Sequence, residues 1–307
     1  MGLRIFVTGA TGFLGQYFIK ALAKEKAGEI FLLVRAGKGL GAAERLEELG
    51  LNFPGVTALE GDITDPGIVK HASVLGSIDE FWHIAGLTDF YESKRAQLEL
   101  VNIGGVRNAI ALAGAVRAQH FYHISTAYVA GICEGPVPED ALLPNPVFRN
   151  PYEETKYRGE ALVRSSGLPW TVIRPSILMG DSITGEAFSD KMVYGVCKVY
   201  NHVSDWLKRE QAEGSKNTDD YAYYVLGKEH AAKNCICIDD AVRLMLAVRQ
   251  HGEIGRTYHC CHPQPVSVLD LHKEVTRAAA APFIRLSAEQ VPDADRKQRF
   301  LDRGCEV

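Results

Sequence analysis

The chain has 307 residues, 46% of them hydrophobic and 23% charged, with a formal net charge of −4. That is globular composition, with roughly 75% of the unfolded surface buried on folding, and it excludes a disordered polymer. The slight acidity, without a dense Lys/Arg stripe, argues against nucleic-acid binding, and no apolar run reaches membrane-spanning length.

Leu3 to Val7 is a short apolar run that reads as a buried strand, followed by Thr8-Gly9-Ala10-Thr11-Gly12-Phe13-Leu14-Gly15 and helical patterning to about Lys24. A glycine-rich turn between a strand and a helix N-terminus is an anion site. Unpaired N–H groups and the helix dipole favour negative charge there, and missing Cβ atoms let a pyrophosphate approach. Glu29–Val34 and Val56–Glu60 read as the next strands, separated by a charged helix over Ala42–Leu49. After a weak helical pattern from Asp65 to Leu75, Glu80–Ile84 is a fourth strand. A long helix, Tyr91 to Arg117, is broken at Gly104-Gly105, and His120–Ser125 is a fifth strand. Tyr152–Ser166 is a helix announced by Asn150-Pro151, and Trp170–Arg174 is a sixth strand.

Strands alternating with helices through short loops predict an α/β fold, a doubly wound parallel (Rossmann) sheet, over residues 1–175. From 176 to 307 the pattern becomes turn-rich, which predicts a smaller C-terminal substrate lobe. A helical run from Lys191 to Val203 lies in it, with a return to the sheet near 234–238 and a helix from Asp239 to His251. A further helix ends at Pro282, and residues 285–307 carry no readable pattern. Trp206, Tyr221, Tyr223 and Tyr224 suit either an aromatic lid or ordinary packing.

With no leader at the start, a cytoplasmic location is expected, where the seven cysteines stay reduced and mostly buried. His259-Cys260-Cys261-His262 invites a metal reading. Adjacent strand residues face opposite ways, however, and no second ligand pair stands at a finger-like spacing, so no metal is expected.

Tyr152 and Lys156 are four apart at a helix start, hence on one face. A phenol titrates at about 10, and a neighbouring ammonium favours its ionised form. The fifth strand ends in Ser125-Thr126, which offers a hydroxyl to a reacting oxygen. Together these groups suit proton transfer coupled to hydride transfer at a carbon–oxygen centre. Taken alone, a Tyr–Lys pair is more often a solvated helix face; the glycine turn, the strand-end hydroxyls and the helix in this order give it weight.

In this order the motifs resemble the extended short-chain dehydrogenase/reductase family over about residues 3 to 270. They are the glycine turn, Gly61-Asp62-Ile63, His83-Ile84-Ala85-Gly86, Asn102, Ser125-Thr126-Ala127-Tyr128, Tyr152/Lys156 and Arg174-Pro175-Ser176. Leu32-Leu33-Val34-Arg35-Ala36, the run Ser125 to Gly131 and Asn150-Pro151-Tyr152 look most like the thioester reductase and fatty acyl reductase branch. The resemblance implies Thr126 as the catalytic hydroxyl, Tyr152 as acid/base, and Lys156 as tuning and ribose-binding residue. Ser125 is one alignment step from Thr126. It implies cofactor contacts at Gly9, Thr11, Gly12, Phe13, Leu14, Gly15, Asp62, Ile63, Ala85, Gly86, Asn102, Pro175, Ser176 and Ile177.

Arg35 ends the second strand, where an NAD enzyme usually presents a carboxylate, and no acid stands next to it in sequence. A guanidinium there suits a 2′-phosphate, so NADP(H) is the expected cofactor, with Lys38 adding positive field. As a plain strand-end residue, Arg35 would carry no such preference. The expected activity is NADPH-dependent reduction of an acyl or carrier-bound thioester, or of the derived aldehyde. An acyl- or peptidyl-carrier protein is then the expected partner, and relatives often dimerise. The alternatives are a ketone or secondary-alcohol dehydrogenase, a nucleotide-sugar enzyme, and a non-catalytic dinucleotide sensor.

Overall fold

Seven strands form one parallel sheet in the order β3–β2–β1–β4–β5–β6–β11. They are β1 (Leu3–Thr8), β2 (Gly28–Val34), β3 (Val56–Glu60), β4 (Glu80–His83), β5 (His120–Ile124), β6 (Trp170–Pro175) and β11 (Thr257–Cys260). The computed structural model describes residues 2–37, 39–133, 135–187, 193–212, 223–226, 228, 231–281 and 284–287.

Side chains alternate across a strand, so the apolar runs feed two cores. Ile5, Val7 and Leu32 face α1 (Phe13–Lys24) through Leu14, Phe18 and Leu22, α2 (Ala42–Glu48) through Leu46, and α8 (Ile238–His251) through Met245. Phe6, Phe81, Phe121 and Val172 face the other way, onto α5 (Gly105–Ala115) and α6 (Pro151–Arg164). Strand order reverses between β1 and β4. The crevice at the carboxyl ends of those strands is where such sheets bind ligands.

Two local expectations change. The segment from Asp65 to Leu75 is a 3₁₀ turn, Pro66–His71, running into the single turn α3 (Ala72–Leu75). The long helix near 91–117 starts as a 3₁₀ turn, continues as α4 (Arg95–Glu99), and passes through a π turn, Leu100–Gly104, into α5. Wide turns of this kind often mark functional sites, and this one carries Asn102.

The return to the sheet is made by β11, not by residues 234–238. Cys235–Cys237 forms β10, which pairs with β7 (Ile177–Met179) in a separate two-stranded ladder. β11 pairs with β6 from Thr257↔Val172 to Cys260↔Pro175. It is an edge strand with the polar sequence Thr-Tyr-His-Cys, so no continuous apolar run announces it.

The chain divides into one unit of Met1–Ala187 with Ile236–Cys261 and another of Phe188–Cys235 with His262–Val307. Because α8 and β11 complete the dinucleotide-type sheet, the C-terminal half does not form a single lobe. In the second unit α7 (Val193–Ala212) and α9 (Val268–Ala278) enclose Tyr200 with Val275, Ala279 and Ile284. Trp206 packs against that cluster. Two short ladders join β8 (Tyr223–Leu226) to β13 (Ile284–Ser287) and β9 (Ala232–Lys233) to β12 (Val266–Ser267). Tyr221 and the side chains of Tyr223 and Tyr224 lie outside the described residues, as does Lys38.

Candidate active site

The glycine turn is built by backbone contact. Gly9 has φ +77°, and a Cβ on it would stand 2.5 Å from the Ala85 nitrogen beyond β4. A Cβ on Gly15 would stand 2.2 Å from the Gly9 carbonyl oxygen. Both positions therefore require glycine if α1 is to start against the ends of β1 and β4. Gly12 caps α1 without any side-chain hydrogen bond, and the first turn holds no acidic residue. The leading N–H groups keep their full attraction for an anion, flanked by Thr11, the half-buried Phe13 and the buried Leu14. This cradle fits the pyrophosphate of a dinucleotide.

Thr8 ties the two central strand ends together. Its Oγ1 lies 2.8 Å from His83 Nδ1 and accepts from the Ala85 N–H at 3.3 Å. His83 is fully buried; burial first, and the Lys156 charge second, hold its imidazole down at about 3, so it stays neutral. Beyond it, Gly86 faces Asn102 and Lys156. A Cβ there would be 3.5 Å from Asn102 Oδ1 and 3.8 Å from Lys156 Nζ, so alanine would fit. Asn102 clamps the loop after β4, accepting from the Leu87 N–H at 2.8 Å and donating to the Leu87 carbonyl at 2.9 Å. It also donates to Thr155 Oγ1 at 3.2 Å.

α6 carries the candidate pair Tyr152 and Lys156. Asn150 caps it by accepting from the Glu153 N–H, and Pro151 occupies its first turn. Gly159 allows close packing on the π turn, since a Cβ there would meet the Asn102 carbonyl oxygen at 2.5 Å. Lys156, 6% exposed, donates to the Ile124 carbonyl at the end of β5 at 2.7 Å. Burial lowers its ammonium to about 8, against the opposing pull of Glu160.

The Tyr152 ring meets Phe90 edge-on at 5.7 Å. Burial raises the Tyr152 phenol above its ordinary value, opposed by hydrogen bonds from the Thr126 and Thr88 side chains. The net shift is thus upward rather than the lowering expected beside Lys156: burial dominates the phenol, and the ammonium donates to the Ile124 carbonyl.

The two candidate hydroxyls separate cleanly. Thr126 Oγ1 donates to the Pro175 carbonyl at 3.4 Å and accepts from the Tyr128 N–H at 3.3 Å. Ser125 Oγ instead donates to the buried Glu160 carboxylate at 2.7 Å, away from Tyr152. Ser176 and Ile177 follow Pro175 and are both buried.

A second cluster lies at the ends of β2 and β3. Arg35, Arg45, Glu60 and Asp62 line a cleft of about 490 Å³ with Ala36, Gly37 and Gly61. Arg35 Nη1 lies 3.6 Å from Asp62 Oδ2, with the Arg35 side chain 66% exposed. An acid thus stands beside Arg35 after all; parallel pairing of β2 with β3 brings their ends together, although no acid stands next to Arg35 in sequence. Burial raises the Asp62 carboxyl, but bonds from Thr64 and the Arg35 charge outweigh it and hold the group below its usual value. Arg45 donates to the Arg35 carbonyl. Ile63 packs under Gly105, and its carbonyl accepts from Asn108 at 2.7 Å.

Residues 7–213 match the male sterility protein family of NAD-binding domains. The chain belongs to this family. It is an NAD(P)-dependent oxidoreductase of the extended short-chain dehydrogenase/reductase type. It is 31% identical over 226 residues to the nonribosomal peptide synthetase asaC of Aspergillus flavus, covering 64% of this chain and 21% of that one. It is 28% identical over 248 residues to the fatty acyl-CoA reductase wat of Drosophila melanogaster, covering 64% and 46%. The terminal R domain of the myxalamid PKS-NRPS pathway superposes with a TM-score of 0.75 at 25% identity, covering 94% of this chain and 73% of that one. The male sterility-type chain thus spans well under two thirds of these curated relatives.

The sequence reading of this male sterility-type domain missed Thr8, Thr88, Arg45 and Glu160. Thr8 and Thr88 sit within or just after the strand-end motifs, at positions two before Ala10 and two after Gly86. Arg45 belongs to a helix face that reads as solvated surface. Among the described residues no group of three His, Cys, Asp or Glu side chains is placed to hold a metal, and no helix is long and apolar enough to cross a membrane.

Proposed function

We propose that the domain is an NADPH-dependent reductase of acyl thioesters, carrier-bound or free, or of the aldehydes derived from them. The observation that carries this reading is the convergence of the Thr126 and Thr88 side chains on Tyr152, with Lys156 held at the end of β5, at the strand ends that flank the glycine cradle. A reduced nicotinamide supplies the hydride when bound. Tyr152, kept protonated at neutral pH by its burial, donates its proton to the oxygen of the acceptor carbonyl. Thr126 orients that oxygen, and Thr88 holds the phenol on line. Lys156 supplies positive charge beneath the site below about pH 8 and stabilises the phenolate left behind.

Gly9, Gly12 and Gly15 hold the pyrophosphate, while Arg35 and Arg45 supply two cations for a 2′-phosphate. Thr64 engages Asp62 Oδ1 through its N–H and hydroxyl, while Oδ2 faces Arg35 at 3.6 Å; the Arg35 side chain is still 66% exposed. The preference for thioesters rests on likeness to the asaC synthetase and the wat reductase, and a carrier protein bearing the thioester is the partner that likeness suggests. Following NADPH absorbance with long-chain acyl-CoA, then aldehydes, then ketones tests the reading. Turnover is expected with the first two, and turnover confined to ketones would replace the thioester assignment.

A further inference from the structure

We infer that Glu160 is the positioning residue of this site: its carboxylate bolts together the ends of β5 and β6 that hold Thr126, and it lies one helical turn from Lys156 on α6. The inference rests on the roles proposed above for Thr126, Tyr152 and Lys156.

Glu160 has no solvent exposure, and its two oxygens are saturated. Oε2 accepts from Ser125 Oγ at 2.7 Å and Arg174 Nε at 3.1 Å. Oε1 accepts from Arg174 Nη2 at 2.7 Å and Arg164 Nε at 2.9 Å. Ser125 precedes Thr126 in the chain, and Arg174 precedes Pro175, whose carbonyl accepts the Thr126 hydroxyl. Both backbone segments that set the Thr126 side chain are therefore held by one carboxylate. A buried ion pair is a poor source of stability compared with well-packed apolar groups, whereas its fixed geometry suits orientation.

The same carboxylate lies four residues from Lys156 on α6, so the two side chains share a face. The other titratable groups acting near Lys156 are His83 on β4 and His123 on β5. Burial first, with Lys156 behind it, keeps both imidazoles neutral. Arg174 on β6 and Arg164 on α6 are turned onto Glu160 itself. Glu160 is thus the one anion among these groups, and it opposes the burial that strips Lys156 of its proton.

The test reads Lys156 directly. Competitive acetylation with acetic anhydride across pH, followed by mass spectrometry of the peptide containing Lys156, reports when the amine becomes nucleophilic. The wild-type midpoint is expected at about 8. Glu160→Gln should lower it by about one pH unit, the influence of one buried charge a helical turn away. Ser125→Ala should leave the midpoint in place yet lower kcat several-fold with KM for NADPH little changed, because only the link to Thr126 is cut. Should Glu160→Gln fail to fold around an unpaired Arg174, the double variant Glu160→Met/Arg174→Met removes an anion and its paired cation together; its midpoint should stay near the wild-type value, while the loss of the clamp on Thr126 should lower kcat several-fold. An unshifted midpoint in folded Glu160→Gln, or a wild-type kcat in Ser125→Ala or in the folded double variant, overturns the inference. The titration requires no turnover, so it is independent of the catalytic reading, which fails separately if Tyr152→Phe retains full activity.

Discussion

Substituting Gly15 and Gly12 by alanine separates what the glycine turn does for the fold from what it does for the cofactor. At Gly15 the added methyl would stand 2.2 Å from the Gly9 carbonyl oxygen, 2.8 Å from Ala10 Cα and 2.9 Å from the Gly9 carbonyl carbon. All three are backbone atoms, so relief requires α1 to move off the end of β1. Overpacking of this kind costs about 1–3 kcal/mol, only partly offset by the better helix propensity of alanine, about 1 kcal/mol. At Gly12 the methyl meets only the Gly9 carbonyl oxygen, at 3.3 Å, a contact the turn can absorb. Gly15→Ala should therefore lower both Tm and NADPH affinity. Gly12→Ala should fold with a nearly wild-type Tm and still bind NADPH about tenfold more weakly, because its Cβ occupies space the phosphates need. Thermal unfolding and NADPH fluorescence titration give the two numbers. A Gly12→Ala protein that binds NADPH as tightly as wild type would refute the placement of the pyrophosphate on this turn.

Cofactor choice and acid stability are open to equally simple tests. Arg35→Ala should weaken NADPH binding by about tenfold or more while changing NADH binding little, since a charge-assisted bond to a phosphate contributes about 1.5–3 kcal/mol. Arg45→Ala should act in the same direction, and equal losses for both cofactors would remove the 2′-phosphate assignment. His83 falls from its ordinary 6.5 to about 3 on folding, so the unfolded chain takes up the proton first as pH drops. Stability contributed by the neutral imidazole is full above pH 6.5 and diminishes below it, by about 2 kcal/mol at pH 5. Urea unfolding at pH 7 and pH 5 should show that loss, and His83→Gln should reduce it; a pH-independent midpoint would contradict the buried neutral state.

The central strands were legible because each is a short, nearly continuous apolar run that a doubly covered parallel sheet requires. Ile5, Val7, Phe81 and Phe121 belong to such runs, and all are fully buried. β11 was illegible because Thr257-Tyr258-His259-Cys260 pairs on one side only, with no apolar periodicity to reveal it. Cys235–Cys237 mimicked it, since Ile236 enters the same core through a separate ladder. In the site, spacing placed Tyr152 and Lys156 on one face but could not say which way the lysine turns. Long-range partners such as Thr88 for the phenol, or Glu160 for Ser125, obey no local period. The acid beside Arg35 was hidden for the same reason, because Asp62 reaches it from a neighbouring strand.

The role proposed for Tyr152 is that of proton donor in hydride reduction of a carbonyl carbon. Rapid-mixing measurement of NADPH oxidation with a long-chain acyl-CoA and with the matching aldehyde, comparing wild type with Tyr152→Phe, tests it most directly. The ring, its edge contact with Phe90 and the fold are kept, and only the hydroxyl is lost. NADPH binding should be unchanged, with the reduction rate lowered by about 10²–10⁴-fold on both substrates. A Tyr152→Phe enzyme that reduces either substrate at the wild-type rate would contradict that role.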